Sequence, residues 1–423
     1  MRMISTPPRN RPGRRRGPRL GYPAAAAVFA IGMAGTTLPT PLYGLYRREL
    51  GFSELMVTVV FATYAVGVIA TLLLAGNHSD AAGRRPVLLC ALGFAAASAV
   101  CFLLEGGLPL LFAGRLLSGF SAGLLSGAGT VTVLELAAPE QKSRAAFAAT
   151  AANMGGLGCG PLLAGLLAEY APLPLALPFL THLALVAVAG VLVLLLPETV
   201  RDPRRHARLR PQGLYVPAPI RGVFVPSALA AFAGFALLGL FTAVAPSFVS
   251  QTLGVTNLAV SGLVVFSVFL SSTVGQSLTG RLPARTALPL GCLVLVAGLL
   301  LVGASLWAKA LPLFVLGAVC GGLGQGAAFR AALTAVGEVA PAAHRAATVS
   351  SFFVVAYTGI SVPVVGVGAL TMWLGLQRAG LAFTACVTLL VAATALRLVR
   401  RPPTAAAPAR DDGRRDAGRP EGG

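Results

Sequence analysis

Long apolar runs alternate with short polar segments along almost the whole chain. A helix needs about 20 apolar residues to cross the hydrocarbon core of a bilayer, and twelve runs in this sequence are of that order. Runs such as LVAVAGVLVLLL, residues 185–196, lack the alternating polarity of a membrane β-strand. The pattern predicts an all-α membrane protein with twelve transmembrane helices, at residues 22–43, 55–76, 86–105, 108–133, 146–169, 174–196, 222–248, 257–279, 286–305, 310–333, 346–370 and 376–397.

The longest polar interruption divides the twelve predicted helices into two groups of six. Landmarks recur about 200 residues apart in the two groups: Arg85 corresponds to Arg285, and Pro161 corresponds to Pro363. Parallel repeats of this kind are typical of two helical bundles with a binding site between them near the bilayer midplane. We therefore predict a disordered basic cytoplasmic tail at 1–21, an N-terminal six-helix bundle at 22–196, a cytoplasmic linker at 197–221, a C-terminal six-helix bundle at 222–398 and a disordered cytoplasmic tail at 399–423.

The positive charge is concentrated on one side of the predicted membrane domain. The chain has a net charge of +19, but only 11% of its residues are charged and its mean hydropathy is +0.79. Of the 33 lysines and arginines, 27 fall on the side of the two tails and the linker, and four fall on the opposite side. This asymmetry indicates a plasma-membrane protein with both termini in the cytoplasm, and it explains the net charge without nucleic-acid binding.

A polar loop, GNHSDAAGRRPVLL at residues 76–89, separates the second predicted helix from the third. It resembles the loop signature of the major facilitator superfamily, G-x-L-x-D-x-x-G-R-[RK]-x-x-L, with His78 where that family has leucine. Glycine at position 83 permits a tight turn. By this resemblance, a gating cluster on the cytoplasmic side is formed by Gly76, Asp80, Gly83, Arg84, Arg85, Glu135 and Arg144.

Two further helical motifs resemble elements of the same superfamily. In the fourth span, GRLLSGFSAG resembles R-x-x-x-G-x-x-x-G and places Arg115 inside the hydrocarbon region, at a cost of at least about 2.5 kcal/mol unless it faces the protein interior. In the fifth span, GLGCGPLLAG resembles G-x-x-x-G-P-x-x-G-G, the element typical of the antiporter branches. Ala164 replaces the first glycine of the final pair. A bend is expected at this helix-bending motif, formed by Gly156, Gly160, Pro161 and Gly165.

Residues 22–398 as a whole resemble bacterial drug-efflux-like permeases of this superfamily. The resemblance implies the major facilitator fold and secondary transport by rocking of the two bundles. The fifth-span element favours export of a small organic molecule in exchange for protons. The alternatives are a proton-coupled uptake symporter and a transporter-like membrane sensor that binds a ligand without moving it.

Polar side chains inside the predicted helices are the candidates for substrate binding and proton coupling. The fourteen acidic residues all lie in loops, tails or the last turns of spans, so no carboxylate is expected at the midplane. An interior with two arginines and no carboxylate favours a neutral or anionic substrate over a cation. The assigned residues are Tyr64, Arg115, Asn153, His182, Gln325 and Arg330, with Gln276 and Tyr357 as further interior polar groups.

Proton coupling is assigned first to His182, because the unperturbed pKa of imidazole lies near neutrality. Glu169, at the end of the fifth span, is the second choice. The four histidines are scattered, and no nucleophile or metal-ligand cluster is evident, so we expect neither an enzyme nor a metal or cofactor. The expected partners are a small-molecule substrate, protons and the lipid bilayer, and the expected state is a monomer.

Overall fold

The computed structural model describes residues 21–75, 78–104, 106–200 and 213–400, leaving aside the side chains of Ala75, His78, Asp80 and Arg281. Within these ranges, twelve helices are long and apolar enough to cross a membrane, which confirms the predicted all-α fold class. They are numbered α1 Tyr22–Thr37, α2 Glu54–Ala75, α3 Arg84–Leu103, α4 Leu108–Glu135, α5 Lys142–Tyr170, α6 Leu177–Leu195, α7 Arg221–Gly239, α8 Leu258–Leu278, α9 Ala284–Ala308, α10 Leu311–Val339, α11 Arg345–Leu374 and α12 Leu376–Arg400.

Two of the twelve spans continue beyond their first α-helix. After α1, a 3-10 turn at Thr40–Leu42 leads into a short helix at Tyr43–Leu50. After α7, the chain is wound as a π-helix at Leu240–Val244 and again at Phe248–Thr252. Wide turns of this kind are rare and are frequently found at functional sites.

Local sequence explains where several helices begin and end. Gly83 has φ of 100° directly before α3, and Gly375 has φ of 77° between α11 and α12. Few residues with a side chain tolerate such a positive φ. Asn257 caps α8, because its side-chain Oδ1 accepts a hydrogen bond from the backbone N–H of Val260 at 3.0 Å.

The helices form two halves, α1–α6 and α7–α12. In the first half α4 packs against α1, α2 and α3, and in the second half α10 packs against α7, α8 and α9. The halves meet along two main seams, where α5 packs against α8 and α2 packs against α11. This arrangement leaves a space between the seams, bordered by both halves.

Small residues bring the helices of the seams close together. A Cβ added at Gly262 of α8 would clash with the carbonyl oxygen of Pro161 in α5, and one added at Gly165 of α5 would clash with the carbonyl of Leu258. In the other seam, Gly368 of α11 lies against Thr58 of α2. Close backbone approach at small residues is the usual packing mode of membrane helices.

The two ends of the bundle are distinguished by their loops. We call the end that carries the linker between α6 and α7, together with the α2–α3 and α4–α5 loops, the linker end. The end that carries the α1–α2, α5–α6 and α7–α8 connections is called the opposite end. The described parts of the predicted cytoplasmic segments all lie at the linker end.

Candidate functional site

A cavity of about 410 Å³ lies between the two halves. Its wall is built by α1, α2, α4 and α5 of the first half and by α7, its π-helical continuation, α8, α10 and α11 of the second half. The wall reaches Leu134 and Ala146 near the linker end, and Thr36 and Arg115 in the opposite direction. The volume falls in the range of sites for small organic molecules.

Hydrogen bonds between the halves close the opposite end. Glu54, the first residue of α2, accepts hydrogen bonds from the side chains of Ser247, at 3.1 Å, and Gln251, at 2.6 Å. Glu54 also forms an ion pair with Arg47 of its own half. Along the other seam, Glu169 of α5 accepts a hydrogen bond from the backbone N–H of Leu258 at 2.9 Å. The opposite end is therefore held shut by contacts that must break before it can open.

Arg115 is the most deeply buried charge of the cavity wall, with a relative exposure of 1%. Its Nη1 donates to the carbonyl oxygen of Thr36 at 2.5 Å, whereas its Nε has no hydrogen-bond partner. The guanidinium carbon lies 5.1 Å from the ring centres of both Phe61 and Tyr64. Cation–π contacts of this kind contribute about 0.5–2 kcal/mol each. Within the described part of the chain, no carboxylate forms an ion pair with Arg115.

A second arginine, Arg330 of α10, lines the cavity nearer the linker end. Its Nη1 donates to the backbone carbonyl of Gln276 in α8 at 3.0 Å, and its side chain is exposed. Among the described residues that line the cavity, Arg115 and Arg330 are the charged ones, and none is aspartate or glutamate. The wall therefore carries net positive charge.

Aromatic rings form much of the remaining wall. Tyr64 of α2 and Tyr357 of α11 meet edge to face across the two halves, with ring centres 6.4 Å apart. Tyr357 lies 5.5 Å from Phe235, Phe235 lies 5.3 Å from Phe329, and Phe329 lies 6.1 Å from Phe353. We call these five residues the aromatic series. The two tyrosines are among the interior groups predicted from sequence. The three phenylalanines are not, because in sequence they resemble any other apolar residue of a span.

The structure separates the predicted binding residues into two groups. Tyr64, Arg115, Asn153 and Arg330 line the cavity together with Gln276 and Tyr357, and Asn153 has a buried Oδ1 without a partner. His182 and Gln325 do not belong to the cavity wall.

Gln325 lies within the second half, with a relative exposure of 0%. Its Oε1 accepts a hydrogen bond from the Oγ of Ser272 at 2.7 Å, while its Nε2 has no partner. It packs against Gly234, where an added Cβ would lie 2.9 Å from the Gln325 side chain. In this conformation Gln325 supports the packing of α7, α8 and α10 behind the cavity.

His182 lies within the first half, on α6, with a relative exposure of 1%. Neither ring nitrogen has a hydrogen-bond partner. The ring packs on Gly35 of α1, where any Cβ would clash with Nε2. The histidine is therefore a buried polar group behind the wall. It packs on Gly35, and the adjacent residue Thr36 accepts the hydrogen bond from Arg115.

The loop motif forms a charged cluster at the linker end. Arg84 donates from Nε and Nη2 to the two carboxylate oxygens of Glu135, at 3.2 and 3.0 Å, and from Nη1 to Ser79 at 2.6 Å. Thr199 donates to the same glutamate at 2.5 Å. The described contacts of this cluster join residues of the first half and of the start of the linker, and none of them reaches α7–α12. They hold together the start of α3, the end of α4 and the start of the linker.

Other members of the predicted gating set are placed less centrally. Arg85 donates from Nη2 to the carbonyl of Leu194 at 2.6 Å, and Arg144 is exposed in the first turn of α5. Gly76 and the side chain of Asp80 lie outside the described residues.

Glu198 belongs to this cluster and is not among the residues predicted from sequence. Its carboxylate accepts the backbone N–H groups of Arg84, at 2.9 Å, and Arg85, at 3.0 Å, at the start of α3. The same carboxylate also accepts hydrogen bonds from the backbone N–H groups of Thr199 and Val200. Burial raises the pKa of the Glu198 carboxyl, but these four N–H groups outweigh burial and leave that pKa below its ordinary value. The sequence signal that could have indicated this role is an acidic residue just past the end of α6.

The helix-bending motif packs α5 between α1 and the second half. Cβ atoms at Gly156 and Gly160 would clash with the backbone of α1. Gly165 lies against the start of α8, and Pro161 lies inside α5 with its carbonyl oxygen against Gly262. The motif therefore lies at the α5–α8 seam, which any rocking of the halves must deform.

Curated relatives match part of the chain. It is 27% identical over 176 residues to multidrug resistance protein 1 of Bacillus subtilis (strain 168), a match that covers 42% of this chain and 44% of the relative. It is 33% identical over 184 residues to puromycin resistance protein pur8 of Streptomyces alboniger, covering 42% and 35% of the two chains. The aligned regions thus span less than half of either relative.

Solved structures match nearly the whole chain in fold. A bacterial homologue of the human lysosomal transporter Spinster, in an inward-facing and unoccupied conformation, superposes with a TM-score of 0.64 at 15% identity over 89% of this chain and 96% of that one. The human organic anion transporter MFSD10 superposes with a TM-score of 0.61 at 17% identity over 90% of this chain and 100% of that one. These likenesses confirm the major facilitator fold.

The family model of the Major Facilitator Superfamily matches residues 24–302, about two thirds of the chain. The match begins near the start of α1, covers the rest of the first half and continues into α9. It confirms the resemblance that the loop and helix motifs indicated. Together with the twelve apolar helices, it shows that the chain is a multi-pass membrane protein and belongs to the Major Facilitator Superfamily.

Proposed function

We propose that this transporter exports a small organic molecule by alternating access, in exchange for protons. The observation that carries the proposal is the cavity between the halves, which extends toward the linker end while Glu54 and Glu169 hold the opposite end shut. The excess of arginine at the linker end indicates that this end faces the cytoplasm. In this orientation both termini are cytoplasmic, and the cavity is positioned to receive a molecule from inside the cell.

The resistance relatives support export over uptake. Two of them carry names that describe resistance to drugs, and the helix-bending motif of α5 lies at a seam that must move during the cycle. His182 is the first candidate for the coupling proton, and Glu169 at the opposite end is the second. Neither is in the cavity wall, so coupling in this proposal acts through helix packing and the seams.

The test is transport by the full chain in proteoliposomes that enclose a pH-sensitive dye. A panel of anionic, neutral and cationic drug-sized compounds is added with and without a pH gradient, and protein-free liposomes serve as the control. Proton antiport predicts that a transported compound moves protons in the opposite direction. Movement of protons together with the compound would overturn export in favour of uptake, and binding without any flux would overturn transport in favour of a sensor.

A further inference from the structure

The charge of the cavity wall is unbalanced. Arg115 and Arg330 line the cavity, and the described wall contains no carboxylate. Charges interact strongly where water is partly excluded, since the effective dielectric constant is well below that of bulk water. A cavity of this kind attracts anions and repels cations.

Arg115 is built to receive an acidic group. Burying a charged side chain is costly unless it is paired and hydrogen-bonded, yet within the described chain the acceptor of Arg115 is one neutral carbonyl, that of Thr36. Its Nε faces no acceptor. A guanidinium has five N–H donors in a fork that matches a carboxylate or sulfonate, so an incoming anion would supply the missing partner.

The aromatic series provides the complementary surface for a flat ring. It begins at Tyr64, which Arg115 contacts, crosses from one half to the other at Tyr357, and ends at Phe353 near the start of α11. Aromatic rings favour edge-to-face and offset contacts with other rings. Serine, threonine, Asn153 and Gln276 side chains also line the wall, but an aromatic surface of this extent favours an anion that carries a ring over a small, strongly hydrated anion such as phosphate.

Arg330 holds a second position along the same path. It is the tenth residue of α10 counted back from the linker end, and Arg115 is the eighth residue of α4 counted from the opposite end. At 1.5 Å per residue, the two arginines differ in depth by about 18 Å. Because Arg330 lies nearer the linker end, an anion that enters from that end meets Arg330 before it reaches Arg115. Arg330 also directly follows Phe329 of the aromatic series in sequence.

We propose that the cavity binds an aromatic organic anion, with its carboxylate or sulfonate on Arg115 and its ring against the aromatic series, and that Arg330 attracts the anion at the entrance. The proposal rests on the proposed function, because it assigns the substrate class of the same cavity. It makes Arg115 a binding residue and Arg330 a residue that speeds association.

Binding by the purified full chain in lipid nanodiscs tests this assignment. The probes are 2-naphthoate, the neutral 2-naphthamide, the cationic (2-naphthylmethyl)trimethylammonium and the saturated decalin-2-carboxylate, with empty nanodiscs as the control for partition into lipid. The expected order places 2-naphthoate at least tenfold tighter than each of the other three at pH 7.5. Equal or tighter binding of the amide or the cation by the unaltered chain would overturn the proposal without any variant.

Variants then assign the residues. Arg115→Gln is expected to remove the preference for 2-naphthoate over 2-naphthamide, and Arg330→Gln is expected to slow association several-fold with little change in the dissociation rate. Arg378→Gln, at an exposed arginine of the opposite end, is the matched control and should leave both quantities unchanged. Retention of the naphthoate preference in a folded Arg115→Gln chain would refute the role of Arg115. If Arg115→Gln does not fold, the association rate of 2-naphthoate with Arg330→Gln decides whether the wall attracts anions.

Failure of this assignment is distinguishable from failure of the proposed function. Binding of 2-naphthoate without flux across a vesicle membrane would contradict transport but leave the anion site intact. Export of a cationic compound by a chain that does not bind 2-naphthoate would contradict the anion site but leave transport intact.

Discussion

Glu54 and Gln251 join the two halves of the transporter at the end remote from the linker. The Nε2 of Gln251, in the π-helical end of the seventh span, donates to Oε1 of Glu54 at 2.6 Å. Ser247, one turn earlier, donates to Oε2 of the same carboxylate at 3.1 Å. Both oxygens of one side chain of the first half are thus engaged by the second half, so separation of the halves at this end requires both hydrogen bonds to break.

Removing the charge at position 54 is expected to favour the state that is open at the opposite end. Hydrogen bonds to a charged group contribute about 1.5–3 kcal/mol when protected from water, and less at this partly exposed edge. We therefore expect Glu54→Gln to raise the population of the open state several-fold. Glu49→Gln, at an exposed glutamate of the preceding short helix, is the matched control.

Distances between spin labels at positions 48 and 378 report this change, because both positions are exposed at the opposite end in different halves. The labels require a background in which the six native cysteines are replaced. A longer distance population should grow in Glu54→Gln and remain at the parent level in Glu49→Gln. An unchanged distribution in Glu54→Gln would show that the opposite end is held shut by other contacts.

The Arg84–Glu135 pair is expected to control the rate of transport more than binding. Neither residue belongs to the cavity wall, but their two hydrogen bonds hold the start of α3 against the end of α4. Arg84→Ala should lower the maximal transport rate about tenfold or more while changing the Kd of 2-naphthoate by less than a factor of about two, since a gate needs only a few kcal/mol between states. Flux and equilibrium binding are measured on the same preparation, with Arg397→Ala, at an exposed arginine of the linker end of α12, as the control. Equal losses of rate and affinity would assign Arg84 to the folding of the whole site.

Glu198 gives a pH dependence whose sign follows from its environment. Its pKa is held below the ordinary value by the N–H groups at the start of α3, against the opposing effect of burial. The carboxylate therefore stabilises the fold above the unfolded pKa of about 4.3, and this contribution is lost as the pH falls through the lowered folded pKa. Thermal unfolding between pH 6 and 3.5 should show a smaller fall in Tm for Glu198→Gln than for the parent chain.

At pH 7, the same Glu198→Gln change should lower Tm by a few degrees, because an N-terminal helix cap contributes about 1 kcal/mol. Glu140→Gln, at an exposed glutamate of the α4–α5 loop, serves as the comparison and should follow the parent curve. If both variants fall in parallel with the parent chain, the capping bonds of Glu198 do not contribute to stability.

The fold could be predicted from sequence because the length of an apolar run is a one-dimensional property. Twelve runs gave twelve helices, and the duplicated landmarks placed six in each half. The turn after Thr37 and the π-helical end of the seventh span were not predicted. Both lie where threonine and proline are interspersed among apolar residues, and hydropathy alone does not distinguish an α-turn from a 3-10 turn or a π-turn.

The site was predictable only where a polar residue interrupts an apolar helix. That signal found Tyr64, Arg115 and Arg330, which line the cavity, but it also selected His182, which does not. A helix that is apolar on every side has no polar face in its sequence, so the direction in which a lone polar residue points depends on its tertiary neighbours. Glu54 was placed at a span boundary, but its bonds to the second half depend on contacts almost 200 residues away in sequence.

Gly35 and His182 form a tight pair that explains why glycine occupies position 35. A Cβ on residue 35 would clash with the imidazole Nε2, and overpacking of a tight contact costs about 1–3 kcal/mol. Gly35→Ala is therefore expected to lower Tm by several degrees, and the double change with His182→Ala should recover most of the loss. Gly44→Ala, where an added Cβ meets no atom within 4 Å, is the control. Failure of the double change to recover Tm would show that the ring can move aside.

The coupling role of His182 is the last prediction, and it follows from the same ring. A buried polar group without a hydrogen bond costs about 1–3 kcal/mol, and both nitrogens of this ring lack a partner in the described conformation. A leucine or methionine would pack there at no such cost, so we infer that the imidazole gains a proton or a partner in another step of the cycle. Export of 2-naphthoate between pH 5.5 and 8 is measured for the parent chain, His182→Gln and His344→Gln, the last a histidine outside the membrane that packs on Tyr215. We expect His182→Gln to flatten the pH profile while His344→Gln keeps it; a parent-like profile in His182→Gln would leave His182 with a packing role and make Glu169 the candidate to test next.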